Sequence, residues 1–203
     1  EEMRALVAAA DAIGKPTIGD AIVLGLWTGQ RQQDRLALVE TQFIGNGGRI
    51  VFRQAKTGKR VTVPAAADLV ERLAAARARK RAQGVTSLHV VVSPHTGQPY
   101  AADHYRHEAR DVIKAAAEGV RDDAGGWKLA PTPSLADFRD ADLRDTSLTW
   151  LALAGCTLDE ICSISGHSRR SALTVLEHYI DPDAGFSMAA IEKLEAWHAR
   201  EAV

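Results

Sequence analysis

The stretch SGHSRRSALTVLEHYI, residues 165–180, sets a histidine, two arginines and a tyrosine along one short run. Each of these side-chain types has a chemistry. A phenol is a nucleophile that forms covalent intermediates. A guanidinium grips a phosphate through two parallel hydrogen bonds, and an imidazole donates or takes a proton near neutral pH. The chain has three tyrosines, and Tyr179 stands twelve residues after His167, one helix away from the Gly166-His167-Ser168 turn. Ser168 can cap that helix, which carries Leu173, Leu176 and Tyr179, and Ile180-Asp181-Pro182 should stop it. Taken singly, each residue has a plainer use. His167 can complement the dipole at a helix end, and Tyr179 can be a half-buried packing aromatic.

The elements that must place such residues are readable from pattern and punctuation. EEMRALVAAADAIG reads as an amphipathic helix ending at Gly14, and TIGDAIVLGLWTG is apolar nearly all round, hence a buried helix. RQQDRLAL continues as a short helix with a polar face. VETQFI, RIVFRQ and RVTVP alternate and are separated by the turns GNGG and KTGK, which predicts three short antiparallel strands. AADLVERLAAARARKRAQ is a helix with a basic end, SLHVVV reads as a further short strand, and AADHYRHEARDVIKAAAEG is a helix. VRDDAGGWKLAPTPSLAD is the most loop-like stretch. A helix over 142–154 stops at Gly155, and Thr157-Leu158-Asp159-Glu160 is a capping box opening a helix that ends at Gly166. A last helix sets Met188, Ile191 and Leu194 on one stripe. The reading is one mostly helical α+β domain with a small three-stranded antiparallel sheet.

The bulk properties bound the function classes. At 203 residues the chain can bury a substantial core. Its formal net charge of −1 means that any basic surface must come from local clustering. Cys156 and Cys162 are the only cysteines; they read as reduced thiols of a cytoplasmic protein, and their spacing fits no metal finger. No metal and no cofactor are expected, and no run is apolar enough to span a bilayer.

Several segments then fall into a known order. WTGQRQQDRLAL, RQAKTGKRVTV, DADLRDTSLTWLALAGCTLDEICSISGHS and VLEHYI together resemble the catalytic domain of the tyrosine recombinases, the phage-integrase family, over about residues 1–181. The resemblance implies cleavage and rejoining of DNA through a 3′-phosphotyrosine, without metal or ATP. It makes Tyr179 the nucleophile, Arg31 and Arg144 the clamp on the phosphate, and His167 a further donor to it. Lys56 falls where the family keeps the lysine that protonates the leaving 5′ oxygen. Lys59 and Arg60 compete for that role, but Lys56 ends the second strand before Thr57-Gly58. Asp34 matches an acidic residue that orients an arginine.

The sequence departs from the family at Ala141, where a histidine or lysine usually stands three residues before the second arginine. Arg139, Asp140 and Asp142 are the neighbouring candidates to replace it. The spacing from His167 to Tyr179 is also a little longer than the commonest one. Double-stranded DNA is the implied partner, contacted through Arg77, Arg79, Lys80 and Arg81 of one basic patch and Arg106 and Arg110 of another. The resemblance further implies a homotetramer on DNA, a monomer without it, and a C-terminal segment over 182–203 that docks on a neighbouring copy. The family usually carries an N-terminal DNA-binding arm domain as well, which is expected to lie outside this sequence. Two other readings share these residues: a DNA-binding remnant impaired by Ala141, and a type IB topoisomerase-like relaxing enzyme.

Overall fold

The computed structural model of the chain describes residues 1–43, 47–179 and 184–201. The opening patterns become helices α1 (Glu2–Ala12) and α2 (Pro16–Thr28). α2 buries Ile18, Ala21, Leu24 and Leu26, as a helix apolar on every side must. A short helix α3 (Gln32–Leu36) follows, then strands β1 (Arg49–Arg53) and β2 (Arg60–Pro64). Helices α4 (Ala67–Ala82) and α5 (Ala102–Glu118) complete the larger part, where α2 packs against α1, α4 and α5. One hydrophobic core runs through all of it, with Leu6, Leu24, Phe52, Leu69 and Tyr105 fully enclosed. Truncating such a side chain to alanine costs roughly 2–5 kcal/mol.

The sheet differs from the three strands expected. β1 and β2 pair antiparallel, Ile50 opposite Val63 and Phe52 opposite Val61, and form a two-stranded sheet. The VETQFI segment does not extend it. Its backbone turns instead to the 88–90 segment, with Glu40 N donating to Leu88 O at 2.9 Å and Val90 N to Leu38 O at 2.9 Å. Glu40–Gln42 then coils into a 3-10 turn, and the Gln42 side chain donates to Val51 O at 2.8 Å. A side-chain amide therefore occupies a carbonyl on the β1 edge that a third strand would have used. SLHVVV contributes only isolated bridges, Val39 to His89 and Val92 to Pro99. A second small sheet lies in the stretch read as loop, where β3 (Val120–Arg121) pairs with a bulge against β4 (Trp127–Leu129). There Arg121 stacks over the Trp127 ring at 3.5 Å, a cation–π contact.

The C-terminal part holds a second, smaller hydrophobic cluster. Helices α6 (Asp142–Leu153), α7 (Leu158–Ser165) and α8 (Arg169–Tyr179) enclose Leu148, Ile161, Cys162 and Ala172. The capping box forms as the sequence predicts: Glu160 N donates to Thr157 Oγ1 at 3.3 Å and Thr157 N to Glu160 Oε2 at 2.6 Å. Such a cap contributes about 1 kcal/mol. Ser171 N donates to Ser168 Oγ at 3.2 Å, so Ser168 caps α8. Helix α9 (Ala184–Glu201) carries the stripe of Met188, Ile191 and Leu194, each more than half exposed. The stop expected at Ile180-Asp181-Pro182 lies outside the described residues.

Candidate active site

The site forms where α2 ends, where the β hairpin turns and where α7 gives way to α8. α2 stops at Gly29, whose φ of 60° is the left-handed conformation that glycine adopts without strain. A Cβ there would also sit 3.2 Å from Ser147 Oγ. The turn sends Gln30 inward and sets Arg31 at the N-cap of α3. Asp34 is buried one turn later, its Oδ2 lying 3.9 Å from Arg31 Nη1. Its Oδ1 accepts from Ala55 N at 2.8 Å, which ties the residue before Lys56 to α3.

Arg144 comes from the first turn of α6 and is only 8% exposed. Its Nη1 donates to Gly29 O, and its Nε donates to His167 Nε2 at 3.2 Å. His167 Nδ1 lies 2.9 Å from Ser165 Oγ, which itself donates to Ile161 O at 2.8 Å. Arg144 Nη2 also lies 3.1 Å from His167 Nδ1, so the guanidinium lies along both ring nitrogens. α7 ends at Gly166 with φ 73°, and a Cβ there would collide with Gln54 Nε2, so only glycine fits beneath the histidine.

The electrostatics are those of a concentrated positive charge. Burial, and then the nearby Arg31, lower the Arg144 pKa to about 10. Burial also pushes His167 down to about 4, helped by Arg144, Arg31 and Lys59, so the imidazole is neutral at physiological pH. Arg31 Nη1 is buried without a hydrogen-bond partner. Two guanidiniums and a neutral imidazole thus converge from three distant segments, which suits them to bind a dianionic or developing phosphoryl charge. Helix α8 leads from His167 and ends at Tyr179, whose side chain lies outside the described residues.

The structure sorts the other expected residues. Lys56 is exposed at the hairpin tip. Lys59, the competing choice, is the hairpin lysine whose charge reaches His167. Ala141 is the exposed N-cap of α6 and opens on a groove of about 1090 Å³ between α5 and residues 133–141. Of its possible replacements, Asp140 is taken by Arg35 Nη2 at 2.5 Å and by Tyr105 Oη at 2.8 Å. Asp142 accepts from Arg139 N at 2.8 Å, and Arg139 itself is exposed.

The basic patch of α4 needs correction. Lys80 is buried, donating to Glu40 Oε1 at 2.8 Å and His89 O at 2.6 Å. Arg79 pairs with Asp20, and Arg77 lies 3.4 Å from Glu40. Lys80 is drawn in by Glu40 and the His89 carbonyl, and Arg79, still partly exposed, turns to the buried Asp20, which requires a cation. Arg81, Arg106 and Arg110 are exposed, although Arg106 also pairs with Asp103.

Sequence reasoning missed Gln30, Gln54 and Ser165, which bind the three segments together. Gln54 Nε2 donates to Gln30 Oε1 at 2.8 Å and to Ser165 O at 2.9 Å, and Gln30 Nε2 donates to Ile164 O at 2.8 Å. One signal was available. Ile50, Phe52 and Gln54 share the inward side of the strand, and a glutamine continuing a buried alternation marks a polar contact in the interior.

No family model matches the sequence, and no curated protein matches it. Solved structures do match in shape. XerA recombinase is 18% identical with a TM-score of 0.63, the match covering 97% of this chain and 62% of that one. The Tn1549 transposon integrase, solved with transposon right-end DNA, is 17% identical with a TM-score of 0.68, covering 94% and 63%. A lambda integrase dimer bound to a COC′ core site is 18% identical with a TM-score of 0.64, covering 89% and 48%. The chain has the fold of the tyrosine-recombinase catalytic domain, and it spans between 48% and 63% of the length of these structures. Among the described residues no helix is long and apolar enough to cross a membrane, and no cluster is arranged to hold a metal ion.

Proposed function

We propose that this chain is the catalytic domain of a site-specific DNA recombinase of the integrase type. The observation that carries the reading is the convergence of Arg31, Arg144 and His167 at the foot of the helix that ends in Tyr179. In this reading Arg31 and Arg144 clamp the scissile phosphate, and His167 donates to it through the ring nitrogen that carries its proton. The Tyr179 phenol gives up its proton to solvent and its oxygen forms a bond to phosphorus while the bond to the 5′ oxygen breaks. A hairpin lysine passes a proton to that oxygen. The phosphotyrosyl ester keeps the phosphodiester energy, so the 5′ hydroxyl of another strand can reverse the step without ATP. Lys56 is the lysine that the motif favours; the reach of the Lys59 charge to His167 favours the second.

DNA is held through its backbone, with Arg81, Arg106 and Arg110 as exposed phosphate contacts. Four copies assemble on DNA, the exposed α9 stripe seating on a neighbouring copy, whereas the domain alone is a monomer. Sedimentation of a stable tetramer without DNA would overturn that assembly.

The test of the chemistry is a nicked suicide substrate carrying the recombination site. Wild type should form a covalent DNA adduct that Tyr179→Phe abolishes. Comparing Lys56→Ala with Lys59→Ala identifies the proton donor, whose loss should slow cleavage by about 10²–10⁴-fold. No adduct from the wild type would favour the remnant reading that Ala141 motivates. Relaxation of a plasmid lacking the site would favour a topoisomerase-like enzyme.

A further inference from the structure

The lysine hairpin is tethered on both sides of Lys56. Before it, Ala55 N donates to Asp34 Oδ1 at 2.8 Å. After it, Thr57 Oγ1 donates to Gln54 Oε1 at 3.0 Å. The backbone closes the same turn, with Gly58 N donating to Gln54 O at 2.8 Å and Gln54 N to Lys59 O at 2.9 Å. Gln54 is fully buried and uses the other end of its amide on Gln30 Oε1 and Ser165 O. Gln30 immediately precedes Arg31, and Ser165 holds His167 through its hydroxyl. One side-chain amide therefore joins the lysine turn, the arginine turn and the histidine turn.

We infer that Gln54 is a positioning residue that holds the lysine hairpin at the distance from the His167 turn needed to protonate the leaving 5′ oxygen. The inference rests on the recombinase reading and specifies what the buried amide does within it. An amide suits the place for a physical reason. It presents a donor to two acceptors and an acceptor to Thr57 at once, and it carries no charge that would pair with the arginines. A glutamate would lose both donated bonds, and a leucine would leave Gln30 Oε1 and Ser165 O unpartnered. Gly166 supports the fit, because any Cβ there would displace the Gln54 amide.

The role separates from a general structural one by changing the leaving atom. In a DNA substrate with sulfur in place of the bridging 5′ oxygen, Tyr179 still forms the oxygen–phosphorus bond. The phosphorus–sulfur bond then breaks, and the sulfur departs as a thiolate that needs no proton. Gln54→Leu and the exposed-side variant Thr57→Val should slow cleavage of ordinary DNA, Gln54→Leu by about 10²-fold and Thr57→Val by less. On the sulfur-bridged substrate both should cleave at close to the wild-type rate, as the hairpin-lysine variant also should. Thr57 is exposed, so its variant keeps the test valid if Gln54→Leu does not fold. Equal slowing on both substrates would overturn the inference, because the amide would then act through Arg31, His167 or the fold. No slowing on ordinary DNA would overturn it as well. A wild-type chain inert toward both substrates would instead sink the recombinase reading on which it stands.

Discussion

Two pairs of inward-facing arginines share this molecule, and the fold treats them oppositely. Arg35 and Arg72 sit against carboxylates: Arg35 reaches Asp140 at 2.5 Å, and Arg72 reaches Asp11 at 2.7 Å and Asp20 at 2.6 Å. Burial works against the Arg35 charge, yet Asp140 and Tyr105 hold its pKa above the ordinary value, and Asp11 does the same for Arg72. Arg31 and Arg144 are paired more loosely. Arg144 meets a carbonyl and an imidazole, and Arg31 shares only a long ion pair with Asp34 Oδ2, 3.9 Å away. The difference distinguishes structure from function. A buried cation paired with a carboxylate is a structural joint, whereas two cations left beside each other cost stability and suit an anion that arrives from outside.

The largest effects should divide along that line. Arg144→Ala should slow covalent adduct formation by about 10²–10³-fold and leave the urea midpoint nearly unchanged. Arg35→Met should do the reverse, costing about 3–5 kcal/mol of stability because Asp140 is left buried with only Tyr105. Its cleavage rate, measured where the variant is still folded, should match wild type. The contrast fails if Arg144→Ala unfolds as readily as Arg35→Met.

Only part of this contrast is legible in the sequence. The end of α6, both ends of α7 and the start of α8 were readable because local signals set them: Gly155, the Thr157–Glu160 box, Gly166 and Ser168 each act within one turn. Arg31, Arg144 and His167 were found because their motifs are local too. Which arginines are neutralised was not legible. Arg79 finds Asp20 fifty-nine residues away, and Arg35 finds Asp140 over a separation of 105. RARKRAQ looks like a basic patch in one dimension, and tertiary pairing draws its middle inward. The missing third strand has the same cause, since the Gln42 side chain, not a neighbouring backbone, takes the Val51 carbonyl. Gln54 went unnoticed because two of its three partners, Gln30 and Ser165, lie far from it in the chain.

A smaller effect sharpens the comparison at the surface. Removing a side chain that neutralises one phosphate should lower the slope of log affinity against log salt by about 0.9. Arg110→Ala, at an exposed position on α5, should show that drop in a filter-binding series on duplex DNA. Arg79→Ala should leave the slope unchanged, because its guanidinium serves Asp20. An equal drop in both would mean that the paired arginine also faces DNA.

The smallest effect tests whether the charge on the two site arginines is felt by their neighbour. In the folded chain burial, Arg144, Arg31 and Lys59 hold the His167 pKa at about 4, against about 6.5 for an unhindered imidazole. Between those values the unfolded chain binds a proton that the folded chain refuses. Stability should therefore fall as pH drops from about 6.5 toward 4. With solvent screening at a half-buried group, the His167 share is on the order of 1 kcal/mol. Urea midpoints at pH 7 and pH 4.5 should lie closer together in His167→Gln than in wild type. Arg144→Ala should narrow the gap in the same direction, since it removes the nearest of the cations that oppose the proton. If neither variant narrows it, the imidazole does not feel the arginines, and the excess positive charge assigned to this site is wrong.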